Sequence, residues 1–444
     1  MSIIPRIADA MQTVLTDVAD SVARPTGFIK RQRELRGSSF VQTLVFGWLD
    51  NPNATLEELT HTAKSLGVKV SPQGLDQRFT YEASECLKQT LEGALDMLVS
   101  SEPVAIPLLQ RFNGVYIQDS SVIGLPDELV EIWAGCGGAS RNSSSSLKIQ
   151  VRLDMNAGKL EGPYLESGKS NDHSSCLQKQ NPPKGSLRIT DLGYFSLEKL
   201  SEMKSQGVYW LTRLNTHCIV YDSDDRGWDV LDLLETYCND DTHEELEMFV
   251  LLGVKERIPC RLLAFRVPKE IVAHRRGKMK AEARHKGRKL SKRQLALAKW
   301  NVYMTSAPPE LLKLHEAFVL MKIRWQIELL FKLWKDQGGI DESRSEKPWR
   351  ILCEVYAKLL AMVIQHWLLL TGCWGSPDRS LHKGAQVIRK HATYLAITFA
   401  SGLRERLYEA LELIQYCLSS GCRLNKRKKK PNTYQLLLQA TDSP

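Results

Sequence analysis

The chain has 444 residues, which is too long for one ordinary domain and favours two to four. Its composition, 43% hydrophobic and 25% charged with a net charge of +9, is that of a globular protein. The N-terminus has no basic start followed by an apolar run, and the longest apolar tract, 355–370, is interrupted by Lys358, Gln365 and His366. We therefore expect no secretory signal and no membrane span.

The basic charge is concentrated in one segment, residues 275–293, which holds ten Lys and Arg side chains and one Glu. The other 425 residues hold 50 basic and 50 acidic side chains, and a shorter basic run lies at 423–430. Charges of one sign repel each other unless a polyanion lies nearby. Nucleic acid is therefore the expected partner, ahead of a membrane surface or a disordered loop.

Residues 1–105 are predicted to be mostly helical and to form the first domain. Within them, 55–79 has the pattern of a helix-turn-helix, in which Thr55 or Asn53 caps the first helix and Pro72 begins the second. The same pattern fits an ordinary helical hairpin, so DNA binding by this region is one of two interpretations.

From residue 106 the pattern changes to short strands, with one helix before the last of them. The predicted strands lie within 113–121, 147–155, 158–167, 186–195 and 208–214, and the predicted helix is 196–207. This succession predicts an α/β fold, a mixed sheet covered by helices. Two of the strands are predicted to end at an aspartate, Asp119 and Asp191. Residues 219–305 then form a partly β insertion that carries the basic tract, and helices follow.

One helical stretch, "KIRWQIELLFKLWK" at 322–335, is rich in apolar residues and has no Gly or Pro. At 100° per residue its polar side chains fall on one stripe. The stripe consists of Arg324, Glu328, Lys332 and Lys335. Ion pairs on a solvated face are one explanation. However, Phe331 lies within the stripe and Trp325 beside it, which indicates a lined cleft.

Three carboxylates are candidates for one metal site. Asp119 and Asp191, taken singly, are typical turn or cap residues. Together with Glu328 they offer the oxygen ligands that Mg²⁺ prefers. Two such ions can stabilise both the attacking and the leaving oxygen of a phosphodiester.

These residues resemble the Y-x₂-R-x₃-E-x₆-K signature of bacterial insertion-sequence transposases. Arg324, Glu328 and Lys335 match its R, E and K, whereas Met321 stands where the signature has a tyrosine. This cut-and-paste group has a DDE site on an RNase H-like core, and the resemblance covers most of the chain. It implies that Asp119 and Asp191 are the first two acids of the DDE site.

The resemblance also implies the cofactor and the DNA contacts. The three acids would hold two Mg²⁺ ions, with Mn²⁺ as an alternative. Arg213, on the strand after the second aspartate, would contact DNA, as would Arg324, Lys332 and Lys335. Trp300, at the end of the insertion, would stack on a base flipped out of the duplex. A buried core position is the alternative for Trp300.

For the whole chain, the resemblance implies a core in two parts, 106–218 and 306–375, separated by the insertion at 219–305. The N-terminal region would bind DNA, and 376–444 would form a dimerisation region with a basic tail. The activity would be excision of an insertion sequence at its terminal inverted repeats, through hairpin ends, and joining to target DNA. The partners would be double-stranded DNA and a second copy of the chain, in the bacterial cytoplasm at the nucleoid.

Other functions remain open at this point. A domesticated DNA-binding regulator would bind without cleaving, and a Mg²⁺-dependent nuclease would cleave without strand transfer. A hydrolase that uses Ser120, His173 and Asp191 lacks the G-x-S-x-G turn. The Cys and His spacings do not favour a zinc enzyme.

Overall fold

A computed structural model of the chain describes residues 3–31, 35–136, 144–238, 244–285, 287–376, 378–425 and 431–442. Within these residues the strands form one ten-stranded sheet, and helices precede and follow the strands in the chain. The predicted mixed α/β class is therefore confirmed. Most of the basic run predicted at 423–430 lies outside the described residues.

The N-terminal region is helical, as predicted. Its helices are α1 Ile4–Gln12, α2 Ala19–Ala23, α3 Gly37–Asp50, α4 Leu56–Ser65, α5 Pro72–Asp76, α6 Tyr81–Leu95 and α7 Pro107–Gln110, with a π-helical segment at Thr13–Val18. Thr55 caps α4 in a capping box, accepting from the Glu58 amide at 3.2 Å, while the Glu58 carboxylate accepts from the Thr55 amide at 2.7 Å. Ser71 caps α5, which begins at Pro72. The helix-turn-helix pattern therefore corresponds to one full helix and one five-residue helix.

The sheet contains all the predicted strands. Its members are β1 Val115–Leu125, β2 Ser145–Asp154, β3 Leu160–Ser167, β4 Leu187–Thr190, β5 Tyr209–Arg213, β6 Val220–Tyr221, β7 Gly227–Trp228, β8 Glu245–Leu252, β9 Ile258–Arg266 and β10 Trp300–Thr305. Their order across the sheet is β3-β2-β1-β4-β5-β10-β9-β8-β6-β7. β1, β4 and β5 are mutually parallel, and the other neighbours are antiparallel, which agrees with the expected RNase H-like mixed sheet.

The predicted insertion continues the core sheet. Its last strand, β10, pairs with β5 in antiparallel register, with Tyr303 opposite Arg213. The insertion also contributes helices α10 Val230–Tyr237, α11 Lys269–His285 and α12 Lys292–Leu297, while α8 Cys176–Lys179 and α9 Leu197–Ser205 precede it. The end of β5, which belongs to the first part of the core, therefore lies directly beside the insertion.

The C-terminal region is helical and packs against the N-terminal helices. Its helices are α13 Leu314–Ile323, α14 Trp325–Gly338, α15 Pro348–Leu370, α16 Leu381–Ala400, α17 Arg404–Ser420 and α18 Thr433–Asp442. The stretch 322–335 was predicted as one helix, but it divides at Arg324 into α13 and α14. Among the described residues, α15 alone has the length and hydropathy of a membrane span, and its apolar window is entirely buried. It packs against α3 and α6 in the core.

The two faces of the sheet are covered differently. Ile117, Ile189 and Leu211 belong to the large core shared with the N-terminal and C-terminal helices. Trp210 and Met304 face the other way, into a second core built with the insertion. Side chains alternate between faces along a strand, so odd-numbered residues of β1, β4 and β5 share the first face.

Candidate active site

The two predicted aspartates lie level with each other on neighbouring parallel strands. Ile117 of β1 pairs with Ile189 of β4, so two residues further on Asp119 lies beside Asp191 on the same face. Asp119 was predicted to end its strand, and this is wrong: β1 continues to Leu125 because its other edge stays paired with β2. Asp191 follows the last residue of β4, as predicted, and accepts a hydrogen bond from the Leu192 amide at 2.9 Å.

Glu328 reaches the same place from α14, which packs against β1. One side chain, Arg324, contacts all three acids. Its Nη1 donates to Asp119 Oδ2 at 3.1 Å, and its Nη2 donates to Glu328 Oε1 at 2.8 Å. The same Nη2 is 3.8 Å from Asp191 Oδ2. The three acids predicted from the sequence are thus gathered around a single guanidinium.

The electrostatics of Asp119 follow from this crowding. Burial raises the pKa of Asp119 above its ordinary value, and the charges of Glu328 and Asp191 act in the same direction. The hydrogen bond from the Ser120 amide and the charge of Arg324 act in the other direction and lower the pKa of Asp119. Three acids in one place therefore need a nearby cation, and Arg324 supplies it here.

The donor set suits a divalent cation of the Mg²⁺ type. All three groups are carboxylates, the ligands that hard cations prefer, and the Arg324 guanidinium already stands in as a positive charge between them. With Arg324 in that position, no three acidic, His or Cys side chains among the described residues lie close enough together to hold an ion. The donor set therefore suits such an ion by its chemistry, and in this structure the guanidinium contacts all three carboxylates.

An open groove of about 420 Å³ lies beside the acids. It is lined by Asp119, Ser120, Ser121, Glu328, Phe331, Lys332, Lys335 and Asp336. Lys335 donates to the Val122 carbonyl at 3.2 Å and pairs with Asp341 at 3.6 Å, whereas Lys332 is exposed. The predicted polar stripe therefore faces a groove, and both lysines are brought to the acids.

Arg213 also lies at the site. It is the last residue of β5, and its Nε is 3.9 Å from Asp191 Oδ1. Its side chain is 52% exposed, so the guanidinium is accessible from solvent.

Trp300 does not share the groove. It begins β10, is 8% exposed and packs in the second core, with the Arg266 guanidinium 4.7 Å from its ring centroid. In this structure Trp300 is therefore a core residue with Arg266 against its ring, and its stacking on a flipped base stays a prediction. Met321, at the tyrosine position of the signature, is buried in the large core and brings no hydroxyl to the site.

Sequence reasoning missed a polar network next to Asp119. Ser120 donates to Asp172 at 3.0 Å, Gln150 donates to the same oxygen at 3.1 Å, and Lys148 lies 3.3 Å from it. The signal was present in β2, where polar residues occupy alternate positions of a wholly buried strand. Ser120 therefore contacts Asp172 and not His173, which removes the pairing that a serine hydrolase needs.

Comparison with known proteins points the same way. A family model described as "Transposase DDE domain" matches residues 110–364. The chain is 28% identical over 384 residues to the transposase for insertion sequence element IS231F of Bacillus thuringiensis subsp. israelensis, covering 81% of this chain and 79% of that protein. It is 24% identical over 375 residues to the transposase for IS1151 of Clostridium perfringens, covering 79% and 78%.

A shorter match is 31% identical over 103 residues to the putative transposase InsL for IS186A of Escherichia coli (strain K12), covering 23% of this chain and 28% of that protein. The family model spans more than half of the chain and includes all three acids. The chain therefore belongs to the DDE transposase family of bacterial insertion sequences.

Proposed function

We propose that this DNA transposase cuts an insertion sequence out at its terminal inverted repeats and joins it to target DNA, with Asp119, Asp191 and Glu328 as its catalytic acids. One observation carries the proposal: acids from two strands and a distant helix share a single cation, Arg324. Such convergence is costly unless a cation balances it. It is the arrangement that a metal-dependent phosphodiester reaction needs.

DDE transposases generally use divalent metal ions. Asp119, Asp191 and Glu328 would hold two Mg²⁺ ions, with Mn²⁺ as an alternative. When bound, these ions supply Lewis-acid stabilisation of the charge that develops on the phosphodiester oxygens. Arg324 releases the carboxylates and is then free to donate to a DNA phosphate.

The other cations position the DNA. Arg213 lies beside Asp191, and Lys332 and Lys335 line the groove beside Asp119 and Glu328. Guanidinium and ammonium groups hold phosphates in register without reading sequence. The scissile phosphate is thereby placed next to the acids, and the groove leaves room for the backbone on either side.

The reaction sequence that we infer consists of phosphodiester hydrolysis and transesterification. Water cleaves one strand at the transposon end, which leaves a 3′-hydroxyl on the transposon and a 5′-phosphate on the flanking DNA. The 3′-hydroxyl attacks the phosphodiester of the opposite strand, which closes a hairpin and releases the flanking strand with a 3′-hydroxyl. Water reopens the hairpin to a 3′-hydroxyl and a 5′-phosphate, and the 3′-hydroxyl then attacks a phosphodiester of target DNA and displaces a target 3′-hydroxyl. No covalent bond to the protein is required.

DNA recognition and assembly belong to other parts of the chain. The N-terminal helices α4 and α5 bind the terminal repeats, and the basic tract at 275–293 runs along the DNA backbone. Both ends must be joined together, so two copies act on paired ends, with the dimer contacts in 376–444. The protein works in the cytoplasm, on the nucleoid.

The test uses Asp119→Asn, Asp191→Asn and Glu328→Gln, which keep side-chain size. Each is assayed for Mg²⁺-dependent nicking of DNA that carries the element's ends and for joining of pre-cut ends. Glu235→Gln, an exposed acid on α10, is the matched control. We expect each site variant to bind DNA normally and to cleave at least about 100-fold more slowly, because several kcal/mol of transition-state stabilisation are lost.

A site variant that binds DNA and cleaves at the rate of Glu235→Gln would remove that residue from the proposed acids. Wild-type protein that binds without any cleavage would be a regulator. Cleavage without joining of pre-cut ends would identify a nuclease.

A further inference from the structure

A buried tyrosine, Tyr303, has two arginines nearby, and one of them, Arg213, lies at the acid site. It pairs with Arg213 across β5 and β10. Asn301, two residues earlier on the same face of β10, accepts a hydrogen bond from Arg275 Nη2 at 2.8 Å. Arg213 and Arg275 are therefore both neighbours of Tyr303, Arg213 across the strand pair and Arg275 through its bond to Asn301.

The surroundings of Tyr303 are positive. Burial raises the pKa of the Tyr303 phenol, while the charges of Arg213 and Arg275 lower it. Burial lowers the pKa of Arg275, and the charge of Arg213 lowers it further. Arg275 has no carboxylate within ion-pair distance among the described residues, and Arg213 has only Asp191, at 3.9 Å. Two neighbouring guanidiniums with so little compensation favour an anion between them.

Arg275 is also held more firmly than the rest of its helix. Val272 is the one buried residue among the described residues of α11. Near it, Arg275 bonds to Asn301 and Arg276 donates to the Leu295 carbonyl at 2.9 Å, so the first half of the helix is fixed to the sheet and to α12. The exposed Lys280 lies further along the same helix.

The tyrosine itself is held in place by an aromatic cluster. The ring centroids of Phe265 and Phe318 lie 6.2 Å and 6.4 Å from that of Tyr303, and Tyr303 is 7% exposed. A hydroxyl donor on a ring that is held in place loses little conformational freedom when it binds a ligand.

We propose that Arg213, Tyr303 and Arg275 form a subsite for one backbone phosphate of the DNA, next to Asp191, and that this subsite connects the acid site to the basic tract. It rests on the proposed function, because the anion is taken to be part of the DNA substrate. A guanidinium fork matches the phosphate oxygens, and the phenol adds a third donor. A polyanion fits better than a small anion because further exposed cations follow along α11.

The experiment scans end DNA with single neutral methylphosphonates in the presence of EDTA, so that binding is measured without cleavage. For wild-type protein we expect one position, near the cleavage site, at which the substitution weakens binding about tenfold. In Arg275→Ala and in Tyr303→Phe this sensitivity disappears or falls severalfold, while other sensitive positions are unchanged. Lys255→Ala, which changes an exposed lysine in the turn between β8 and β9, is the control and retains it.

Tyr303→Phe removes only the hydroxyl and keeps the ring, so a loss of sensitivity in this variant does not come from a disturbed aromatic cluster. Thermal unfolding followed by circular dichroism checks that its stability is that of the wild type. If Arg275→Ala and Tyr303→Phe both keep the wild-type pattern, the subsite is wrong even though the protein cuts DNA. If wild-type protein does not bind end DNA, the proposed function fails and the subsite with it.

Discussion

Arg324 donates a hydrogen bond to Asp119 at 3.1 Å although 205 positions separate the two residues in the chain. The same guanidinium bonds Glu328, one turn further along α14, at 2.8 Å. Arg324 therefore links the strand to the helix and supplies the positive charge that the partly buried Asp119 requires. A divalent ion bound by the same carboxylates has to take over that charge.

The first prediction concerns this exchange of cations. In EDTA, Arg324→Ala should lower the free energy of unfolding by about 1.5–3 kcal/mol, because charged hydrogen bonds are removed. Added Mg²⁺ or Ca²⁺ should then stabilise the variant more than the wild type, because the ion binds carboxylates that no longer have a competing partner. Thermal unfolding with and without the ion measures both effects.

Arg111→Ala is the control, because Arg111 pairs with the buried Glu316 at 2.8 Å and donates to the Leu311 carbonyl at 3.3 Å, and not to any of the three acids. It should be destabilised without gaining any response to the ion. An equal Mg²⁺ response in Arg324→Ala and wild type would show that Arg324 does not compete with the ion.

The second prediction concerns a buried ion pair that holds the end of α14. Lys358 and Glu354 of α15 are 2.8 Å apart, and Lys358 also donates to the carbonyls of Gly339 and Glu342. Glu354→Ala should lower the free energy of unfolding by about 3–5 kcal/mol, because it leaves a buried charge unpaired. Urea unfolding measures the change.

Lys347→Ala provides the comparison. Its side chain is 68% exposed and pairs with Asp76 at 2.6 Å, and surface pairs are worth less than about 1 kcal/mol. Similar losses of stability in the two variants would contradict the importance of burial.

The third prediction concerns pH. His366 is fully buried, and burial lowers its pKa to about 4, while its Nε2 lies 2.7 Å from the Gly158 carbonyl. The His366 ring binds a proton near pH 6.5 in the unfolded chain but only near pH 4 in the folded chain. The contribution of the neutral ring to the free energy of unfolding is therefore fully present above about pH 6.5. It should be lost as the pH falls towards 4, by about 3 kcal/mol.

His366→Gln should flatten the dependence of the unfolding free energy on pH in that window. His382→Gln, which changes an exposed histidine, should keep the wild-type slope. A wild-type slope in His366→Gln would mean that other groups cause the acid sensitivity.

The fourth prediction concerns the exposed part of α11. Replacing Lys278, Lys280 and Arg284 together by alanine should weaken binding to specific and unrelated DNA alike. The slope of log affinity against log salt should become smaller by about 0.9 for each DNA phosphate that the variant no longer neutralises. Anisotropy titrations at several salt concentrations test this. A weaker affinity for the element's ends alone would indicate that these residues read sequence.

The amino-acid sequence determined the local features of this protein. Period-two and period-3.6 patterns located the strands and helices, and the four-residue spacing placed Arg324 one turn before Glu328. Thr55 and Pro72 marked helix starts because capping and the fixed proline φ act within a few residues. The three acids could be picked out from the sequence because each lies on or beside a strand or helix that a local pattern predicts.

Only the tertiary structure decided which of these elements meet. The register of β1 against β4 placed Asp119 in the middle of a strand, because pairing with β2 extends β1 beyond the last residue of β4. The pairing of β10 with β5 brought Tyr303 to Arg213 and left Trp300 in a core. Register and burial depend on interactions between segments far apart in the chain, and no local pattern records them.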